Sequence, residues 1–411
     1  MHRHVIGGRV CPALFLVLVV VIDLAIPSRA LGQAAAPAAP SQPVLATSAE
    51  VEQKVDAYLR AQVRVNGFSG AVLVARDGSP VVSKGYGWAN AEWEIPNTPT
   101  TKFRLGSITK QFTATLVLRL QEQKKLTVQD PICTYVTPCP YLWKPISIHH
   151  LLTHTSGIPS YTGLPDYKNT MMVPRTIEQM VAVFRDLSLE FVPGEKFKYN
   201  NSGYFLLGVI IEKVAGRKYE EVLRDELFTP LGMKDTGYDW SEPLLPRRAA
   251  GYTRRGDTWV NAVHLDMQQP YSAGSLYSTV EDLLIWDQAL YTDRVLTEAA
   301  RTAMFTPFKD NYAYGWAIQP ADKATSGHVQ IGHGGGINGF STMIQRVPSD
   351  RVAVVVLSNV ENLSAGNIAR DVMAITYGRP DQMPIERTAT PVKPETLVHQ
   401  GGQDRKASKV P

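Results

Sequence analysis

Ser107 and Lys110, in the stretch LGSITKQFTATLVLRL, have the types and spacing to act together chemically. At positions i and i+3 of a helix they would lie on one face, one turn apart. A serine hydroxyl is a weak nucleophile that needs an adjacent base, and a lysine amine can be that base once burial lowers its pKa. The apolar residues that follow predict a buried helix, so the pair indicates a serine nucleophile activated by a lysine.

The position of Ser107 at the start of this helix adds a second reason. Free backbone N–H groups and the positive end of the helix dipole would stabilise an oxyanion there. The alternative is an N-cap serine followed by a solvated lysine. An S-x-x-K tetrad arises by chance about once or twice in a chain of this length, although this sequence contains a single one.

Three blocks of the sequence, in order, resemble the serine β-lactamase-like family. They are LGSITKQFTATLVLRLQEQKKL, ISIHHLLTHTSGIP and PGEKFKYNNSGYFLLGVIIEKVAG. The family includes class C β-lactamases, D-Ala-D-Ala carboxypeptidases, D-aminopeptidases and family VIII carboxylesterases. AGSLYSTVEDLLIWDQAL and GHGGGINGFSTMIQRVPSDRVAVVVLSN extend the resemblance over about residues 51–378. The family carries S-x-x-K, then Y-x-N, then K-T-G or H/W-x-G, and Ser107 with Lys110 matches the first motif.

The second motif has two candidates, at Tyr167 and at Tyr199. Tyr199 lies inside a family-like block and just before an apolar helix, so it is the one that the resemblance selects. The resemblance implies that Tyr199 carries the proton between Ser107 and the leaving group, and that Asn201 hydrogen-bonds a substrate amide. The alternatives are a core tyrosine with a satisfied hydroxyl and an N-cap role for Asn201.

The third motif is His333-Gly334-Gly335, in a predicted strand that leads into Gly336. Glycines let a substrate approach a strand closely, and the resemblance implies that Gly336 N–H completes an oxyanion hole with that of Ser107. β-lactamases mostly carry lysine where His333 stands. Because a histidine with a pKa of about 6.5 is mostly neutral at neutral pH, the motif favours peptidase, aminopeptidase and esterase activity over efficient β-lactam hydrolysis. The alternative for His333 is a strand histidine without substrate contact.

Alternating and β-rich runs at both ends of the chain surround a helical middle. The early hairpin is GAVLVARDGSPVVSKGYGWAN, and the late strands are YGWAI, HVQIGHGG, FSTMIQRV and RVAVVVLSN. This pattern predicts a mixed α/β domain over residues 49–378, with a sheet lobe at 49–106 and 305–378 and a mostly helical lobe at 107–304. We expect one five-stranded antiparallel sheet flanked by helices, a β-lactamase/transpeptidase-like fold by resemblance, with the ligand site in the cleft between the lobes.

The N-terminus predicts export. Residues 1–32 combine a positive start, an apolar run over Cys11–Ile26 and small residues before Gln33, which is typical of a cleaved signal peptide. The alternative is an uncleaved membrane anchor. Residues 33–48 are Ala/Pro-rich and predict a disordered linker, and residues 379–411 predict a flexible tail. The expected location is periplasmic or extracellular.

Cofactors and macromolecular partners have little support in the composition. A net charge of +4 without a Lys/Arg cluster interleaved with aromatics argues against nucleic acid. His150 and His154 have zinc-like spacing but lack the glutamate of H-E-x-x-H, so we interpret them as structural and expect no metal or organic cofactor. Cys133 and Cys139 form either a small disulfide loop or two unpaired side chains. The sequence does not predict an oligomeric state.

Together these features predict an exported serine hydrolase that works through an acyl-enzyme on an ester or amide, such as a D-amino-acid peptide or a β-lactam. The absence of G-x-S-x-G argues against an α/β-hydrolase. The alternative is a non-catalytic or slow penicillin-binding or cell-wall-binding protein.

Overall fold

The computed structural model describes residues 46–256, 258–321 and 327–379. The predicted signal peptide and nearly all of the predicted linker and tail lie outside these ranges. Within them, no helix combines the length and the apolar character needed to cross a membrane.

The main sheet has six antiparallel strands in the order β10-β11-β12-β13-β1-β2, and eleven α-helices surround it and the smaller sheets within the described residues. The strands are β1 (Gly70–Arg76), β2 (Ser79–Tyr86), β3 (Trp88–Asn90), β4 (Ile95–Pro96), β5 (Phe103–Arg104), β6 (Gly237–Tyr238), β7 (Tyr252–Arg255), β8 (Thr258–Asn261), β9 (Leu276–Ser278), β10 (Ala317–Gln319), β11 (Gln330–Ile337), β12 (Phe340–Val347) and β13 (Val352–Ser358). The helices are α1 (Ser48–Asn66), α2 (Thr109–Glu122), α3 (Ile148–Leu152), α4 (Tyr167–Thr170), α5 (Ile177–Arg185), α6 (Asn201–Ala215), α7 (Tyr219–Leu223), α8 (Thr229–Leu231), α9 (Val280–Ala289), α10 (Glu298–Phe305) and α11 (Ala365–Thr376).

The predicted fold class is confirmed, while the predicted number of strands is one too low. The early hairpin supplies β1 and β2, and β1 pairs with β13 from the other end of the chain. The sixth strand is β10, a three-residue segment that pairs with β11 at the sheet edge. The predicted run YGWAI overlaps this strand, so the sequence indicated it, and the error lies in the number of strands assigned to one sheet.

Alternate residues of each strand point to opposite faces of the sheet, and helices cover both faces. On one face α1 and α11 pack over a cluster that includes Val72, Val74, Val354 and Val356. On the other face Ala71, Leu73, Val355 and Leu357 join the core of the helical lobe. Val51, Val55, Leu59 and Val63 recur at four-residue spacing along α1, the pattern of one helix face. The first three are inaccessible to solvent and Val63 is half-buried.

The turn before α2 is held against β11 and β12. The Thr342 hydroxyl donates a hydrogen bond of 2.7 Å to the Leu105 carbonyl, and a side chain at Gly335 would collide with that carbonyl. Gly106 has a φ of +55°, a conformation that favours glycine, and a Cβ there would lie 3.0 Å from the Gly336 nitrogen. The two glycines therefore allow Ser107 to lie directly beside β11.

Candidate active site

Ser107 lies in a 3₁₀ turn, Gly106–Ile108, that leads into α2, and its side chain caps neither element. Lys110 is in the first turn of α2 and is completely buried. The Lys110 Nζ and Ser107 Oγ atoms are 3.0 Å apart. The alternative of an N-cap serine with a solvated lysine is therefore wrong.

The contacts of the Lys110 amine suit its neutral form. Besides Ser107, Nζ lies 2.8 Å from Asn201 Oδ1 and 2.8 Å from the Ala273 carbonyl oxygen. A neutral amine has two N–H groups for these two acceptors and one lone pair for the Ser107 hydroxyl. Burial lowers the Lys110 pKa well below its usual value, and none of the three hydrogen-bond partners is a carboxylate that would oppose this. The arrangement can accept the Ser107 proton.

Tyr199 is the third polar group at Ser107. Its hydroxyl lies close enough to that of Ser107 to interact with it, and its ring centroid lies 4.9 Å from Lys110 Nζ. Burial of the hydroxyl raises the Tyr199 pKa above its ordinary range, and the interaction with Ser107 opposes this only in part. The residue as a whole is nevertheless 38% exposed. Tyr199 is thus a protonated phenol at the opening of the site.

Asn201 is the first residue of α6, and both the oxygen and the nitrogen of its carboxamide make hydrogen bonds. Oδ1 accepts from Lys110, while Nδ2 donates to Thr162 Oγ1 at 3.0 Å. The N-cap of α6 is Asn200, whose side chain accepts from Gly203 N–H. The alternative of an N-cap role for Asn201 is therefore wrong, and its second Nδ2 hydrogen remains available to a ligand.

His333 uses both ring nitrogens inside the protein. Nδ1 lies 2.6 Å from the Gly334 carbonyl and Nε2 lies 2.9 Å from the Tyr312 hydroxyl. Because a carbonyl only accepts, Nδ1 carries the hydrogen and Nε2 accepts from Tyr312. Burial, with a smaller effect of nearby Lys110, lowers the His333 pKa to about 4. The ring is therefore neutral at neutral pH, and a substrate would have to displace one of these partners to reach a ring nitrogen.

The glycines of the third motif differ in what surrounds them. Gly335 packs against Leu105, whereas an added side chain at Gly336 would meet nothing within 4 Å. Gly336 therefore faces open space beside the Ser107 turn, and Gly334 has only ordinary contacts around it. This geometry is compatible with an oxyanion hole formed by the N–H groups of Ser107 and Gly336, which remains a prediction.

The remaining sequence predictions fall outside this cluster. The structure joins Cys133 to Cys139 in a disulfide on the segment between α2 and α3. His150 Nδ1 accepts from the Ser147 N–H at the start of α3. In the described part of the chain, no group of three or more His, Cys, Asp and Glu side chains is placed to hold a metal ion. Tyr167 begins α4 and makes an edge-to-face ring contact with Tyr161.

Several residues of the site were missed by sequence reasoning. The Ala273 carbonyl carries no side-chain signal, because any residue could supply it. Tyr312 lies well before β11 in the sequence and belongs to none of the three motifs. His154 was noticed only for its zinc-like spacing, yet its ring lies 4.3 Å from that of Tyr199. The family-like block around it, HLLTHTSGIP, was the available signal.

Comparisons with known proteins agree with this geometry. The Beta-lactamase family model matches residues 54–377. The putative penicillin-binding protein PbpX of Bacillus subtilis is 32% identical over 313 residues, which cover 75% of this chain and 74% of that protein. The teichoic acid D-alanine hydrolase of Staphylococcus aureus is 29% identical, with 75% and 74% covered. The octameric penicillin-binding protein homologue from Pyrococcus abyssi superposes with a TM-score of 0.70 at 29% identity, covering 80% of this chain and 77% of that one.

Proposed function

Because this chain belongs to the beta-lactamase family and is a serine hydrolase, we propose that it hydrolyses an ester or amide outside the cytoplasm through an acyl-enzyme on Ser107. The resemblance drawn from the three motifs is thereby confirmed. The observation that carries the proposal is the convergence of Lys110 Nζ and the Tyr199 hydroxyl on the Ser107 oxygen. Export rests on the signal-like residues 1–32 and on relatives that are named penicillin-binding proteins.

The first half of the reaction forms the acyl-enzyme. Neutral Lys110 takes the Ser107 proton while Oγ attacks the substrate carbonyl carbon. The developing oxyanion accepts hydrogen bonds from the backbone N–H groups of Ser107 and Gly336. Tyr199 then gives its phenolic proton to the leaving oxygen or nitrogen and regains one from the Lys110 ammonium.

The second half releases the acid. A water molecule enters where the leaving group stood, beside Tyr199, and attacks the acyl carbon. Its proton passes to the Tyr199–Lys110 pair and returns to the Ser107 oxygen when the ester bond breaks.

The substrate class follows from the charge at the third motif. Where β-lactamases mostly carry a lysine, His333 is neutral and hydrogen-bonded to Tyr312. A carboxylate next to the scissile bond would therefore lack a charged partner at this position. We infer that esters and D-amino-acid amides without such a carboxylate are hydrolysed best, and that β-lactams are slow substrates. A relative named teichoic acid D-alanine hydrolase supports a D-alanine derivative as one member of this class.

A matched pair of peptides tests this preference. We expect a peptide ending in D-Ala-D-Ala amide to have a higher kcat/KM than the same peptide with a free carboxylate, because His333 offers no positive charge. The assay runs beside p-nitrophenyl butyrate and nitrocefin, with ester turnover as the positive control. A carboxylate peptide cleaved tenfold faster than its amide would contradict the inference. A burst followed by a very slow steady state on nitrocefin, without ester turnover, would instead indicate the second candidate, a penicillin-binding protein like the relative PbpX.

The pH dependence identifies the base. Lys110 is active as the neutral amine and its pKa is lowered by burial, so kcat/KM should rise with increasing pH as Lys110 loses its proton. His333, with a pKa of about 4, is already neutral above pH 5 and should not contribute to this acid limb. The measurement is a pH profile of kcat/KM with p-nitrophenyl butyrate for the natural protein and for His333→Gln. A limb that disappears in His333→Gln would assign the titration to the histidine and contradict the assignment to Lys110.

A further inference from the structure

His154 occupies an unusual place beside the catalytic tyrosine. It follows α3, has a φ of +57°, and is only 1% exposed. A left-handed conformation is uncommon for residues other than glycine, although asparagine, aspartate and histidine adopt it more often than the rest, and here the surrounding structure holds it in place. That constraint calls for an explanation in terms of what His154 contacts.

The two polar contacts of His154 bracket Tyr199 in the sequence. Its carbonyl oxygen accepts from Lys198 N–H at 3.0 Å, and its ring Nδ1 accepts from Asn200 N–H at 3.1 Å. Lys198 and Asn200 are the residues immediately before and after Tyr199. One residue therefore fixes the backbone on both sides of the catalytic phenol.

The ring of His154 also packs directly on that phenol. Its centroid lies 4.3 Å from the Tyr199 ring, and the rings of Tyr204 and Tyr312 lie 5.0 and 4.6 Å away. Because Nδ1 accepts the Asn200 N–H, the hydrogen of the neutral ring is on Nε2, for which no described residue provides an acceptor. A ring in this tautomer has no free lone pair, so it cannot serve as a second base.

We propose that His154 is a positioning residue that directs the Tyr199 hydroxyl toward Ser107 by pinning the peptide groups on either side of it. The inference rests on the proposed role of Tyr199 as the proton carrier. It assigns His154 no contact with substrate, and it explains why a histidine is held in a left-handed conformation at this point.

Two substitutions separate the hydrogen bond from the packing. His154→Asn retains an acceptor at the δ position and suits a left-handed φ, but it removes the ring. His154→Phe retains an aromatic ring and removes the acceptor. We expect His154→Phe to lower kcat for p-nitrophenyl butyrate by about ten- to a hundredfold with little change in KM, as for a misplaced catalytic group, and His154→Asn to stay within about threefold of the natural protein.

A matched control and a double-mutant cycle complete the test. His150→Phe removes a comparable histidine acceptor, also at 3.1 Å from a backbone N–H, away from Tyr199, and should leave kcat unchanged. Since His154 acts through Tyr199, His154→Phe should have little further effect in a Tyr199→Phe background. Equal losses in both backgrounds, or full activity of His154→Phe, would overturn the proposal. If His154→Phe does not fold, a loss of more than tenfold in folded His154→Asn overturns it equally. A fully active Tyr199→Phe would instead remove the premise, the proposed proton carrier.

Discussion

Replacing Ser107 by alanine is expected to lower kcat for ester hydrolysis by more than about a thousandfold, because the acyl-enzyme can no longer form. The same variant should lose covalent labelling by a fluorophosphonate or a penicillin. Its thermal unfolding should remain close to that of the natural protein, since the Ser107 side chain caps neither the 3₁₀ turn nor α2. The conformation that brings this turn beside β11 depends on Gly106 and Gly335, which the substitution leaves intact.

The matched control for this experiment is Ser79→Ala. Ser79 is an exposed serine at the start of β2, so its substitution should change neither turnover nor labelling. Labelling that persists in Ser107→Ala, confirmed by mass spectrometry of the modified peptide, would place the nucleophile on another residue. That result would contradict the mechanism proposed for this chain.

Replacing Lys110 by methionine is expected to lower kcat/KM by about a hundred- to ten-thousandfold, the range associated with loss of a positioned general base. The apolar side chain has a similar length but cannot accept the Ser107 proton. The acid limb of the pH profile should disappear with the amine. Rates are measured with p-nitrophenyl butyrate over the full pH range, together with the thermal midpoint.

Opposing effects govern the stability of this variant. Asn201 Oδ1 and the Ala273 carbonyl lose their shared donor, and an unsatisfied buried acceptor is unfavourable by about 1–3 kcal/mol. In compensation, methionine removes a completely buried amine whose desolvation is unfavourable. We therefore expect a folded protein, so that the loss of rate reports on chemistry. Lys125→Met, at an exposed position beyond α2, is the control. Activity of Lys110→Met within tenfold of the natural protein would show that another group is the base.

Local features of the site were predictable because the contacts involved are short in sequence. Ser107 and Lys110 meet since they are three residues apart in a helical segment, and the apolar residues after them predict the burial that lowers the lysine pKa. The β-rich runs that form β1 and β2 and the four-residue spacing along α1 are likewise local features of the sequence. The motif context selected Tyr199 over Tyr167, and the structure places Tyr199 at Ser107 and Tyr167 in α4.

Contacts between distant parts of the chain were not predictable from single motifs. The Ala273 carbonyl is 163 positions from Lys110 in the sequence. Because every residue type carries a backbone carbonyl, no sequence pattern could identify this one. The Tyr312 hydroxyl hydrogen-bonds to Nε2 of His333, the histidine of the third motif, across 21 positions of the sequence. The sequence predicted a neutral histidine from its ordinary pKa, but burial is what lowers that pKa to about 4.

The amino-acid sequence by itself therefore determined the fold class, the proximity of Ser107 to Lys110, and the order of the three motifs, because each of these depends on local periodicity or on residue types at fixed spacing. Only the tertiary structure decided the surroundings that set the pKa values of the site residues and the direction in which their side chains point. Packing excludes water from Lys110 and His333 and thereby lowers both pKa values. In the proposal made above, Tyr199 faces Ser107 because His154, some 45 positions away in the chain, holds the peptide groups on both sides of it.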